Sequence, residues 1–110
     1  MTYRVKLMPQ AEADIERIYR WVVSETPLRG SEWFNGLVEA IGTLSHNPER
    51  SAPAPESPLF EEPIRQLVYG KRSGRYRVLF RVRGETVEVL HVRHGARRRV
   101  RLRPAGETTW

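Results

Sequence analysis

Arginine carries most of the chemistry open to this chain. Residues 64–110 hold 13 Lys and Arg, 12 of them Arg, against 3 acidic residues, whereas residues 1–63 hold 6 basic and 10 acidic side chains. A guanidinium is a rigid fork of donors that grips phosphate or carboxylate with two parallel bonds. The C-terminal half therefore points to a polyanion or an acidic protein partner, with a solvated basic surface as the plain alternative. Histidine is the other side chain able to move a proton near neutral pH, and the chain has three, His46, His91 and His94. They are scattered among few acidic neighbours, without metal-ligand spacing. The absence of cysteine removes disulfides, thiolate zinc sites and cysteine nucleophiles. No metal or other cofactor is expected.

These groups must be positioned by a small core. A chain of 110 residues with 39% apolar and 29% charged residues reads as one domain over 1–110. No apolar run approaches the roughly 18 residues of a membrane span, and the N-terminus lacks the basic start and apolar stretch of a signal peptide. A cytoplasmic protein without membrane contact is expected.

Tyr3, Val5 and Leu7 alternate with Arg4 and Lys6, the pattern of a half-buried strand. Pro9 suits the first turn of a helix, with Glu12, Asp14 and Glu16 near its positive dipole end. Ala11, Ile15, Ile18, Tyr19 and Val22 form its apolar stripe, and Thr26-Pro27 stops it. Ser31 is expected to cap a second helix, with Phe34, Leu37, Val38, Ile41 and Leu44 on one face and Asn47-Pro48 as its end. The short link between the helices implies an antiparallel hairpin. Trp21 and Trp33 fall off both stripes and read as core or rim packing, or as contacts to a partner. Residues 49–63 hold four of the eight prolines and read as an extended loop, and 104–110 as a fraying tail.

Three strand-like runs follow, Ile64 to Tyr69, Arg75 to Arg83 and Thr86 to Arg93. Gly84-Glu85 places Gly where a type II′ hairpin turn requires it. An uninterrupted register from Arg83 opposite Thr86 pairs Phe80 with Val89, Val78 with His91 and Tyr76 with Arg93 on a face that receives the helices. It sets Arg75, Arg77, Arg81 and His94 on the opposite, open side. His46 is expected at the end of the second helix, and His91 on the core face.

The order strand, helix, helix, three strands, with P-Q-A-E-A-D-I-E-R-I-Y-R-W at 9–21, L-S-H-N-P at 44–48, I-R-Q-L-V-Y at 64–69, R-Y-R-V-L-F-R-V at 75–82 and V-L-H-V-R-H-G-A-R-R at 89–98, resembles the RelE/ParE family of toxin–antitoxin toxins. The resemblance covers nearly the whole chain. It implies an α+β, β-α-α-β-β-β fold, with the helix hairpin packed on one face of a mainly antiparallel twisted sheet. It also implies a toxin that stops growth and is held inactive by a cognate antitoxin, as a hetero-oligomer or alongside a homodimer.

Two targets follow from the resemblance. RelE-like members cut ribosome-bound messenger RNA. For that chemistry Arg77 matches the transition-state cation, Arg65 a basic position on the preceding strand, and His94 or Arg97 the proton-transfer group. The RelE pattern of a Lys pair and a late Tyr is missing, since 64–69 contain no Lys and 95–109 no Tyr. ParE-like members poison DNA gyrase without chemistry of their own. The helix opening and the H-G-A-R-R ending resemble this branch more, with Arg75, Arg81, Arg93, Arg98 and Arg99 as target contacts. Trp21, Trp33 and Leu79 are the apolar candidates for antitoxin contact. A non-toxic nucleic-acid-binding module is the reading from another class.

Overall fold

Alternation at the N-terminus and helical periodicity after it become strand β1 (Arg4–Leu7) and helix α1 (Pro9–Glu25) in the computed structural model, which describes residues 2–70 and 75–95 and the backbone of 101–102 and 108–109. Pro9 occupies the first turn of α1, where its missing N–H costs nothing. The Thr26 N–H and hydroxyl both return to the Val22 carbonyl, at 2.8 and 3.1 Å, and close the helix. Helix α2 (Gly30–Gly42) starts one residue before Ser31, so Ser31 lies in its first turn and does not cap it. A helical turn over Pro27–Arg29 leads directly into α2. Gly30 is required there, because a Cβ would sit 2.5 Å from Val23 Cγ2 on α1.

The strands β2 (Arg65–Tyr69), β3 (Tyr76–Arg83) and β4 (Thr86–His94) join β1 in one sheet of order β1-β4-β3-β2. β1 runs parallel to β4, and the other pairs are antiparallel. Gly84 at φ 58° turns the β3–β4 hairpin, as the sequence predicts. Past the described residues 75–95, Arg101–Leu102 pair with Thr108–Thr109. The rest of the expected tail, 104–107 and 110, lies outside the described residues.

Both helices pack on one face of the sheet. Ala11, Ile15, Ile18, Val22, Leu37, Ile41 and Leu44 meet Tyr76, Val78, Phe80, Val87, Val89 and Val92 in the main core. The helical stripes are only partly buried: Tyr19, Phe34 and Val38 stay exposed between α1 and α2.

The hairpin register departs from the uninterrupted one. Arg83↔Thr86 through Phe80↔Val89 hold as expected, but a bulge between Leu79 and Phe80 shifts the remainder by one. Val78 then pairs with Val92 and Tyr76 with His94, not with His91 and Arg93. Period-two alternation cannot reveal an inserted residue, which is why the expected pairing fails here. His94 consequently lies on the helix side, in edge contact with the Tyr76 ring at a centroid distance of 5.2 Å.

The face away from the helices is not open. The 49–63 segment returns along the start of β2, with Gln66 N–H donating to the Ala52 carbonyl at 3.0 Å and Ala54 N–H to the Ile64 carbonyl at 2.8 Å. Ala54 and Ile64 close over Leu79, with Phe60 and Leu90 alongside, in a second small core. The proline-rich stretch is thus a fixed roof over part of the sheet.

Candidate functional site

Under that roof the arginine face is neutralised from within. Glu56 is buried, its carboxylate oxygens taking Arg77 Nη1 at 3.0 Å and Nη2 at 2.7 Å, and Gln66 Oε1 accepts Arg77 Nη1 at 3.1 Å. Burying a guanidinium is tolerable only with such a partner. Arg81 Nε donates to Glu88 Oε1 at 2.6 Å across the hairpin, and Arg83 pairs with Glu62 at 2.7 Å. The Arg83 guanidinium holds the Glu62 carboxyl below its ordinary range, and the carboxylate raises the Arg83 pKa in return. Arg65 Nη1 donates to the Ser51 carbonyl at 2.7 Å, tying the roof to β2.

The expected site residues are therefore not gathered on one open surface. Arg65, Arg77 and Arg81 hold the fold's own acceptors; Arg75 is exposed at the foot of β3; Arg93 is buried; His94 faces the helices. Arg97, Arg98 and Arg99 lie outside the described residues. Leu79, only 1% exposed, sits inside the second core and offers no surface anchor. Trp33 is half-buried, with its ring edge-on to Tyr69 and Tyr76 at 6.5 and 5.4 Å. Tyr69 donates to the Trp33 carbonyl at 2.9 Å, and burial, with Glu32 and Glu39 nearby, raises its phenol pKa. Trp21 is the exposed one of the pair, at 56%.

Two carboxylates matter in ways their local sequence does not announce. Glu56 sits among prolines in the stretch read as an extended loop. Asp14 reads as an acid favouring the helix dipole, and it is fully buried, with Oδ2 accepting the Val92 N–H at 3.0 Å and lying 3.6 Å from His91 Nδ1. Gln10 and Arg17 complete its shell at 2.9 and 3.3 Å. The available signal was its place within the α1 stripe, between Ala11 and Ile15.

Two concavities flank α1. On the side facing α2, Leu7, Ile15, Tyr19, Phe34, Val38 and Ile41 form an apolar groove rimmed by Glu12 and Glu16. On the other side, a cleft of about 410 Å³ lies between α1 and the end of β4, with Ile18, Val92 and Tyr76 joined by Trp21, Arg17, Arg93 and His94. Among the described residues no cluster of His, Cys, Asp or Glu could hold a metal ion, and no helix is long and apolar enough to cross a membrane.

Residues 5–99 match the family model described as the ParE toxin of type II toxin-antitoxin system, parDE. Among solved structures, the chain is similar to one from the chromosomal ParDE TA system from P. aeruginosa, with 23% identity and a TM-score of 0.67. That match covers 84% of this chain and 96% of the other. A search of the curated proteins finds no match.

Proposed function

The chain belongs to the ParE toxin family of type II toxin–antitoxin systems, and from that premise we propose that it arrests bacterial growth by inhibiting DNA gyrase and is neutralised by a cognate antitoxin. The observation that favours gyrase over messenger RNA is the state of Arg77. RNA cleavage needs a cation ready to meet charge developing on the phosphate, with a proton-transfer group beside it. Arg77 gives both ends of its fork to Glu56 beneath the 49–63 roof, while His94 lies on the helix side against Tyr76. An inhibitor that acts by binding alone has no need of that constellation.

Neutralisation is supported by the exposed apolar groove between α1 and α2. Tyr19, Phe34 and Val38 face solvent there although they belong to otherwise buried stripes, as a surface awaiting a partner does. Inducible expression in bacteria tests the target. Gyrase-linked DNA breaks with intact message within minutes are expected; cut message without breaks overturns the gyrase reading in favour of a RelE-like nuclease, and normal growth with neither overturns the toxin reading.

A further inference from the structure

With the groove between α1 and α2 taken as the antitoxin's site, its chemistry names the kind of segment that enters. Each wall is helical and runs for about 10 Å, from Glu12 to Tyr19 on α1 and from Phe34 to Ile41 on α2. The main-chain groups of both walls are closed within their own helices. A strand laid between them would leave its own N–H and C=O groups unpaired in an apolar trough, whereas a helix satisfies its own. About two turns of helix fill that length, with apolar anchors at i, i+3 or i+4, and i+7.

The rim sets the charge of the segment's flank. Glu12 and Glu16, both on α1, are the charged residues that line the groove, and no cation lines it. Among the described residues Glu12 has no ion-pair or side-chain hydrogen-bond partner, and Glu16 meets Arg20 in an exposed pair that gives way at little cost. A docked apolar stripe takes water from this rim, and a carboxylate left without a partner there opposes binding. We propose that the antitoxin segment seated here is an amphipathic helix flanked on its α1 side by Lys or Arg, and that Glu12 selects for it. The acidic partner to which the Arg-rich composition points is disfavoured at this face, and so is nucleic acid, whose phosphates would meet the same carboxylates. A second copy of the chain fits less well, because among the described residues the apolar stripes of α1 and α2 are already engaged by the sheet and by the groove itself.

Two synthetic peptides of about 20 residues, helical by design, share one Leu stripe and carry either Lys or Glu at the flanking positions. Calorimetric titration of each into the purified full chain tests the charge selection independently of toxicity. The Lys peptide is expected to bind about fivefold or more tightly at low salt, with its advantage shrinking as salt rises. E12Q is expected to remove most of that preference and E12K to reverse it. Glu12 is exposed, so both variants should melt with the wild type. Equal affinities, a preference for the Glu peptide, or a preference unmoved by E12Q and E12K in folded chains overturns the proposal. Equal affinities that both collapse in V38D overturn the charge selection alone and leave the groove as the docking site. Binding of neither peptide overturns the proposal as well, and co-purification of the antitoxin with V38D, kept or lost, then decides whether the groove reading falls with it.

Discussion

The Asp14 carboxylate on α1 accepts the main-chain N–H of Val92 on β4 at 3.0 Å, and this bond spans 78 residues of sequence. It lies where β4 runs on past its parallel neighbour: β1 pairs as far as Val89 and then turns into α1. An N–H in that vacated flank must find another acceptor, and the helix brings one. The bulge between Leu79 and Phe80 falls two to three residues before Val92 in the ladder, so Asp14 fixes β4 just after its irregularity.

D14A is expected to destabilise the fold by roughly 2–3 kcal/mol, since it strands a buried N–H and removes a charged acceptor. Chemical denaturation measures this. The shortfall should exceed that of E16A, which removes only an exposed ion pair with Arg20.

Glu56 and Arg77 make a sharper pair of variants. E56A leaves a buried guanidinium without its carboxylate and should cost about 3–5 kcal/mol, whereas E56L combined with R77M should recover most of that loss. If the double variant also retains growth arrest on induction, Arg77 has no role at the target, as the gyrase reading requires.

Two groups make stability depend on pH in opposite directions. Glu62 is held below its ordinary pKa by the Arg83 hydrogen bond, so its contribution is present above the unfolded carboxylate value and is lost as pH falls through the lower folded value. E62Q should flatten the acid limb of the melting curve. Tyr69 is raised by burial, so its contribution is present below its unfolded value of about 10 and is lost as pH rises through the higher folded value. Wild type should exceed Y69F by about 1 kcal/mol at neutral pH, through the bond to the Trp33 carbonyl, and the gap should close on the alkaline side.

Charge reversal of Arg97, Arg98 and Arg99 together is expected to abolish growth arrest and leave the melting temperature unchanged. Persistent arrest by a folded triple variant counts against a basic C-terminal contact with the target.

F34D or V38D should break co-purification with the antitoxin without unfolding the chain, because both residues are already exposed. Retained co-purification from both variants would move the partner away from the helix groove.

Local pattern made much of this molecule legible. The β1 alternation, the α1 stripe with its Pro9 start and Thr26 stop, and the Gly84 turn each follow from residues in contact with near neighbours in sequence. The succession of strand, helix pair and three strands was legible in the same way and carried the family resemblance, which the match over residues 5–99 bears out; the sheet order and the parallel β1–β4 pair come from the structure. What was not legible depends on distant partners. Nothing in 49–63 singles out Glu56 until the loop folds back on Arg77; Asp14 looks dipolar until β4 arrives; and an extra residue in β4 leaves alternation intact on both sides while moving His94 to the other face. The expected open arginine surface failed for the same reason, since its acceptors come from the loop, the neighbouring strand and the hairpin partner.

The return of 49–63 along β2 has a colloidal consequence. An edge strand with bare N–H and C=O groups recruits other chains, and rows of such groups seed aggregation. Here the start of β2 is already engaged by Ala52 and Ala54, and Pro53 between them has no N–H to offer a newcomer. At the opposite margin, Tyr3 donates to the Ser45 carbonyl at 2.8 Å and Thr2 bridges His46, which closes the beginning of β1. The fold thus engages the start of each edge strand with its own chain, which leaves less bare backbone there for edge-to-edge pairing with another molecule.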